Sequence, residues 1–437
     1  MKSWIKAANS VGCEFPIQNL PYGVYRNVTG RLHGCVAIGD EVLDLAVLEE
    51  ARLIDLDVGT SVFDNSSLNS FMALGPAAWR KHRTRLIELL MDGGDRSLQQ
   101  DGALRARAFQ PLATADLVLP IEVSGYTDFY ASRHHATNAG AILRGDPSLP
   151  PNWLSMPIGY NGRASTVVVS GTDVRRPLGQ SLPAGQDLPT FGSTRKLDFE
   201  LEIGAVVGLP STMGQPISVA EADSMIFGYV LLNDWSARDV QAWEYRPLGP
   251  FQGKAFATSI SPWVVSKDAL EPFRVATPKR QQCLLPYLRE PSPMLYDIAL
   301  EVALTTRGGV RPTVISRTNY RELYYSAAQL IAHHAVSGCK MNTGDLIGSG
   351  TISGGTADSL GSLLELSWGG ARELRLDDGE HRTYLEDGDQ VTLSGFAEKE
   401  KYRIGFGTCV GKISPAPPEL QSWSQQERQP IFGAAEE

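Results

Sequence analysis

The sequence predicts a mainly β protein with some helix, and three observations carry that expectation. Glycine and proline together make about 16% of the 437 residues, above the roughly 12% of an average chain, so turns are frequent and a long helical bundle is disfavoured. From about residue 119 onward, short strand-like runs recur, with turns expected at Gly162, Gly171, Gly204 and Gly208. One long stretch, residues 76–91, instead carries Trp79, Leu86 and Leu90 at helical spacing, with Pro76 near its start.

Taken in chain order, residues 36–45 read as a hairpin whose two-residue turn is Gly39-Asp40. The helix of residues 76–91 follows, and residues 111–116 have the composition of a linker. Residues 1–118 are therefore expected to form a small N-terminal domain and residues 119–420 a larger one, with 421–437 a polar tail. Residues 274–295 form a proline- and charge-bearing loop, long enough to cover a site or meet a partner. Near the end, residues 390–394 and 402–406 read as paired strands.

Composition excludes several functions. The net charge is −9 and no Lys/Arg run reaches five residues, which argues against nucleic-acid binding. The longest apolar stretch, residues 225–232, is far short of the ~20 residues that span a bilayer. The first residues lack a signal-peptide core and the last carry no lipidation box. Five scattered cysteines without a C-x-x-C pair fit a reducing compartment and argue against structural zinc. A cytoplasmic protein is expected. Neither a G-x-S-x-G elbow nor a P-loop is present, and residues 348–355 miss the third glycine of G-x-G-x-x-G.

Three segments concentrate chemistry. In residues 197–203, alternation places Leu197, Phe199, Leu201 and Ile203 on one face and Asp198, Glu200 and Glu202 on the other. That acidic face is either a solvated strand face or a hard-cation site, and no Lys or Arg interrupts it. In residues 230–245, an apolar strand runs into a helix-like segment. There Asn233 or Asp234 is either an N-cap or something more, and Arg238, Gln241 and Tyr245 share one side. Such a stripe suits an anionic, oxygen-rich small molecule or an ordinary wet face. In residues 126–135, helix from Asp128 onward would set Asp128 and His135 two turns apart on one side.

The stretches FPIQNLPYGV, YTDFYASRHHATN, PNWLSMPIGYNGRAS, LDFELEIG, LLNDWSARDVQAWEYRPLGPFQGK, SGTISGG and LLELSW, in this order from about residue 14 to about 415, resemble the fumarylacetoacetate hydrolase family. The resemblance implies an N-terminal SH3-like barrel, a C-terminal mixed β-sandwich roll and a homodimer. It implies hydrolysis of the carbon–carbon bond of 4-fumarylacetoacetate to fumarate and acetoacetate, the last step of tyrosine and phenylalanine catabolism.

Carried over by residue, it implies that Asp128, Glu200, Glu202 and Asp234 bind a divalent cation, Mg²⁺ or Ca²⁺ given all-oxygen ligation. Lys254 and Thr258 would border a second magnesium, Lys254 through its backbone or water. His135 would be the base and Glu365, expected on an alternating strand, its orienting carboxylate. Lys254, Arg238 and Gln241 would stabilise developing negative charge. Tyr130, Arg144, Tyr160, Arg238, Gln241, Tyr245 and Thr351 would contact substrate. The alternatives are another enzyme of the superfamily, an acylpyruvate hydrolase or oxaloacetate-type decarboxylase, and a non-catalytic calcium-stabilised binding protein.

Overall fold

The computed structural model describes residues 1–417; the polar tail expected at 421–437 lies outside the described residues. The architecture is mainly β, with short helices between the strands.

The N-terminal part is a five-stranded antiparallel sheet in the order Phe109–Pro111, Glu41–Asp44, Leu32–Ile38, Tyr22–Arg26, Asp116–Val118. The expected hairpin is present, with Ile38 opposite Glu41 and Gly39 at a φ of 63°, a left-handed conformation that glycine adopts without strain. The segment expected as a linker is part of this sheet instead. Its two ends lie in strands on opposite edges, joined through the single turn Leu112–Thr114. So short a connection draws the edges together and curls the sheet into a small barrel. The helix Pro76–Leu90 lies close to its expected bounds, with Trp79, His82, Leu86, Leu89 and Leu90 buried.

Two large sheets build the larger part, with four two-stranded pairs beside them among the described residues. An eight-stranded mixed sheet runs Gly159–Asn161, Tyr126–Phe129, Leu346–Gly348, Leu201–Val207, Ile226–Asp234, Thr258–Ile260, Val167–Val169, with Val265–Ser266 also paired to Ile226–Asp234. A five-stranded sheet runs Thr313–Asn319, Ala299–Thr305, Gln390–Lys399, Tyr402–Ser414, Val174–Arg175. The final antiparallel pair is longer than the sequence suggested. The two sheets meet closely where glycines remove side chains. A Cβ on Gly411 would lie 2.3 Å from the Trp235 ring, and one on Gly395 3.0 Å from Leu231.

Every residue of Ile226–Asp234 is buried, as expected of a strand covered on both faces. Leu231 belongs to the cluster between the two sheets, while Val230 and Leu232 belong to the cluster shared with the N-terminal part. Val206, Ile260 and Leu346 join that second cluster, so the small barrel and its helices cover the outer face of the large sheet. Gly204 is not in a turn as expected: it lies mid-strand opposite Gly348, where Leu346, Val230 and Leu232 crowd its α-carbon. The loop of residues 274–295 is tied at both ends by Arg274–Val275 pairing with Leu295–Tyr296, and Arg280 anchors it to Gln329 at 2.8 Å.

Phe227 is the aromatic hinge between the two parts, with ring centroids 5.4 Å from Tyr22, 5.7 Å from Phe71 and 5.2 Å from Trp79. Phe227→Ala should lower stability by about 3–5 kcal/mol, the usual cost of emptying such a site. Urea unfolding followed by tryptophan fluorescence measures this, and a loss below about 1 kcal/mol would mean the interface repacks.

Candidate active site

The carboxylates of Asp128, Glu200, Glu202 and Asp234 converge from three segments, with one oxygen of each within 4.8 Å of the others, and all four residues are buried. Backbone register does this. Glu202 lies opposite Leu232 and two residues from Gly204, which faces Gly348; Gly348 faces Asp128 on its other side. Because residue 348 has no side chain, the two acids can approach: a Cβ there would lie 2.6 Å from Asp128 Oδ1 and 3.0 Å from Glu202 Oε2. Asp234 ends the neighbouring strand opposite Thr258.

The wet strand face considered from spacing does not occur, since Asp198, Glu200 and Glu202 are all buried. Nor is Asn233 or Asp234 an N-cap: the helix Arg238–Glu244 begins after Ala237 without a side-chain cap. Asp128 is on the strand Tyr126–Phe129, not on a helix with His135, because the helix Arg133–Arg144 starts only after its cap Ser132.

Cations reach the cluster from outside the strand. Lys254 Nζ donates to Glu200 Oε2 at 2.5 Å and to Asp234 Oδ2 at 2.8 Å. Arg238 Nη1 approaches Glu200 Oε1 at 2.7 Å, and its Nε donates to Asp198 Oδ2 at 2.8 Å. Burial would raise the pKa of Glu200, but Lys254, then Arg238 and His135, outweigh it and hold the carboxyl well below the usual range. Asp128 and Glu202 are pushed far up, by burial first and then by neighbouring carboxylates. Asp234 is also raised, chiefly by burial.

Asp128 Oδ1 and Glu202 Oε1 are buried with no donor among the described residues. With Asp198 included, five buried carboxylates face only Lys254 and Arg238, an excess of three negative charges that one divalent cation would reduce to one. Orphaned buried oxygens, an excess of charge and a space kept open by Gly348 all fit a cation held by these four acids. Lys254 does so as a counter-charge: its ammonium is kept protonated by Asp234 and Glu200 despite burial. Thr258 Oγ1 lies 3.4 Å from Asp234 Oδ1.

Beside the cluster, His135 Nδ1 is 2.6 Å from Glu365 Oε2. Glu365 is not on a strand. It is in the helical turn Leu363–Leu366, capped by Ser362, because Ser362 and the following apolar residues favour a capped turn over an edge strand. Its other partners are Asn138 at 2.9 Å and the hydroxyls of Ser353 and Ser362, each at 2.9 Å. Burial alone would raise its pKa, but His135 and these hydrogen bonds hold it low. Asn138 and Ser353 were not singled out from sequence; Asn138 follows His135 by three residues on the helix, the one signal that could have found it.

Of the remaining expected residues, Tyr160 donates to Asp234 Oδ2 at 2.8 Å, and Tyr130 stacks edge-on to His135 with centroids 5.4 Å apart. Gln241 Oε1 accepts from Arg238 Nη1 at 3.1 Å. Arg238 Nη2 and Thr351 Oγ1 are buried without partners among the described residues. Tyr245 is half-buried beyond the helix end, beneath the Arg246 guanidinium at 5.1 Å. Arg144 is exposed at the helix end and donates to the Ser148 carbonyl at 3.1 Å. The loop Gly348–Gly355 contributes backbone: Gly350 N–H donates to Glu202 Oε2 at 2.9 Å.

In the cation-free chain, burial and neighbouring carboxylates favour protons on Asp128 and Glu202 that unfolded carboxyls release near pH 4. The folded state binds more protons, so stability should fall as pH rises from about 5 to 8, and a hard divalent cation should remove the fall. Glu200 contributes the opposite sign, with stability lost only in acid. Thermal melts in chelator across that range check this; a metal-free protein most stable at the alkaline end would contradict it.

Comparison with known proteins gives a consistent answer. Residues 18–120 match the fumarylacetoacetase N-terminal family and residues 124–414 the fumarylacetoacetate (FAA) hydrolase C-terminal family. The fumarylacetoacetase of Arabidopsis thaliana is 48% identical over 96% of this chain and 99% of its own, and that of Homo sapiens 47% over 92% and 97%. A fumarylacetoacetate hydrolase structure from psychrophilic Exiguobacterium antarcticum superposes with a TM-score of 0.50 at 16% identity, covering 91% of this chain and 99% of that one, a likeness of fold. With matches spanning both parts of the chain and relatives this similar over nearly its whole length, the chain belongs to the fumarylacetoacetate hydrolase family.

Proposed function

We propose that the chain hydrolyses the carbon–carbon bond of 4-fumarylacetoacetate to fumarate and acetoacetate, the last step of tyrosine and phenylalanine catabolism. The observation that carries this is the His135–Glu365 pair at 2.6 Å beside four buried, converging carboxylates. Fumarylacetoacetases 47–48% identical over 92–96% of this chain support this reading over another enzyme of the superfamily. The buried imidazole–carboxylate pair has no role in a purely structural calcium protein.

A divalent cation held by Asp128, Glu200, Glu202 and Asp234 would polarise the substrate's neighbouring carbonyl oxygens as a Lewis acid. The all-oxygen donor set suits Mg²⁺ or Ca²⁺. Lys254, bridging Glu200 and Asp234, and the Thr258 hydroxyl on the other oxygen of Asp234 would orient that carboxylate. Glu365 accepts the Nδ1 proton of His135, which leaves Nε2 as the base. His135 takes a proton from water as the oxygen adds to the fumaroyl ketone. The carbon–carbon bond then breaks, its electron pair passing to the acetoacetate enolate, which His135 reprotonates at carbon. Lys254, Arg238 and Gln241 set positive charge and donors where negative charge develops. Tyr130, Tyr160, Tyr245 and Thr351 offer hydroxyls to the substrate, and Arg144 offers charge to a carboxylate arriving from outside.

Residues 1–118 and 119–420 would act as two domains, a reading supported by the five-stranded sheet contained within the first and the apolar cluster confined to the second, with a further cluster shared where they meet. A homodimer belongs to the same reading: Trp243, Leu248 and Phe251 are exposed within one segment, by 42%, 95% and 67%, and a second copy would cover them. Among the described residues no helix is long and apolar enough to cross a membrane. Five free cysteines fit the reducing cytoplasm.

Two experiments test the chemistry. Glu365→Gln should leave KM nearly unchanged and lower kcat by roughly 10²–10⁴, the scale of acid–base catalysis; unchanged turnover would remove Glu365 from the dyad. Chelation should abolish loss of the diketone absorbance, with Mg²⁺ or Ca²⁺ restoring it, whereas full activity in metal-free buffer would overturn the four-carboxylate site.

A further inference from the structure

Asp198 shares the acidic stripe of Glu200 and Glu202, yet no oxygen of it is left for a cation. Oδ1 accepts from the backbone N–H of Phe199 at 2.8 Å and of Leu363 at 2.7 Å. Oδ2 accepts from Arg238 Nε at 2.8 Å and from the Leu364 N–H at 2.9 Å. A carboxylate has about four acceptor sites, and all are taken.

We propose that Asp198 is a positioning residue that ties Arg238 to the turn carrying Glu365, so that the anion-facing and base-orienting sides of the site are held in one register. The inference rests on the hydrolase reading above. Leu363 and Leu364 immediately precede Glu365 in the turn Leu363–Leu366. From its Asp198 contact, Arg238 extends Nη1 to Glu200 and Gln241. The Asp198 and Arg238 side chains are 0% and 4% exposed, so water cannot replace either partner, and a charge-assisted bond in such a place is strongly directional. The stripe that sequence alternation defines thus has two functions: its first acid holds protein to protein, and the next two face the cation site.

The test is Asp198→Asn, which keeps the shape but turns one acceptor into a donor facing donors. KM for fumarylacetoacetate should rise and kcat fall, each by roughly 10- to 100-fold, the scale of an ångström-sized displacement. Acting through Arg238 and Glu365, the change should raise KM no further in Arg238→Gln and lower kcat no further in Glu365→Gln. A purely structural role predicts that the losses multiply in full in both double variants, and that result overturns the tether, as does an Asp198→Asn enzyme within twofold of the wild type. Should Asp198→Asn fail to fold, Asp198→Asn/Arg238→Gln removes both buried charges together. Its kcat is expected below that of Arg238→Gln alone, and equal values overturn the proposal. A wild type that does not turn over fumarylacetoacetate sinks the hydrolase reading; an active wild type with an unaltered Asp198→Asn sinks only the tether.

Discussion

The structure depends on an excess of buried negative charge that the chain itself does not neutralise. Taking one carboxylate out of water is costly, and adjacent carboxylates in a medium of low effective dielectric add mutual repulsion. Lys254 and Arg238 offset part of this, and Gly350 offers a backbone donor to Glu202. What remains can be relieved by protons on Asp128 and Glu202 or by a cation. A site poised between those two states is unstable on its own, and the framework around it is closely packed, with strands buried on both faces and aromatic side chains on either side.

That framework divides the chemistry between regular and irregular structure. The four clustered acids sit on or beside strands, where register fixes separations that long side chains alone could not. His135 sits on the first turn of a helix and Glu365 on a capped turn, where Ser132 and Ser362 hold the backbone while Asn138 and Ser353 donate to the carboxylate. Glu365 spends its acceptors on four donors, so it orients the imidazole without competing for a cation.

Much of this was legible in the sequence where a local rule governs. The Gly39-Asp40 hairpin, the helix from Pro76 and the acidic alternation of residues 198–202 follow from turn chemistry and period. Legibility failed where tertiary contacts decide. Nothing local shows that the stripe is buried, since the counter-charges Arg238 and Lys254 arrive from 40 and 54 positions away. Residues 111–116 look like a linker because turn residues are common to linkers and to barrel closures. The Glu365 segment alternates as a strand does, but four residues are too few for period to separate a strand from one helical turn. The resemblance to a family identified His135 and Glu365 as partners; their 2.6 Å contact across more than 200 residues is invisible to any reading of spacing.

The small barrel covers hydrocarbon on the very sheet whose far end carries the acids. Val206, Val230, Leu232 and Leu346 lie against it, on strands that continue into Glu202, Asp234 and Gly348. Cutting the chain near residue 120 would therefore do more than shed an accessory: it would wet the back of the sheet that carries the acids and invite self-association. For this protein the amino-terminal barrel functions as a lasting intramolecular lid on a sticky surface, and any shortened version would need polar replacements there before it could work alone.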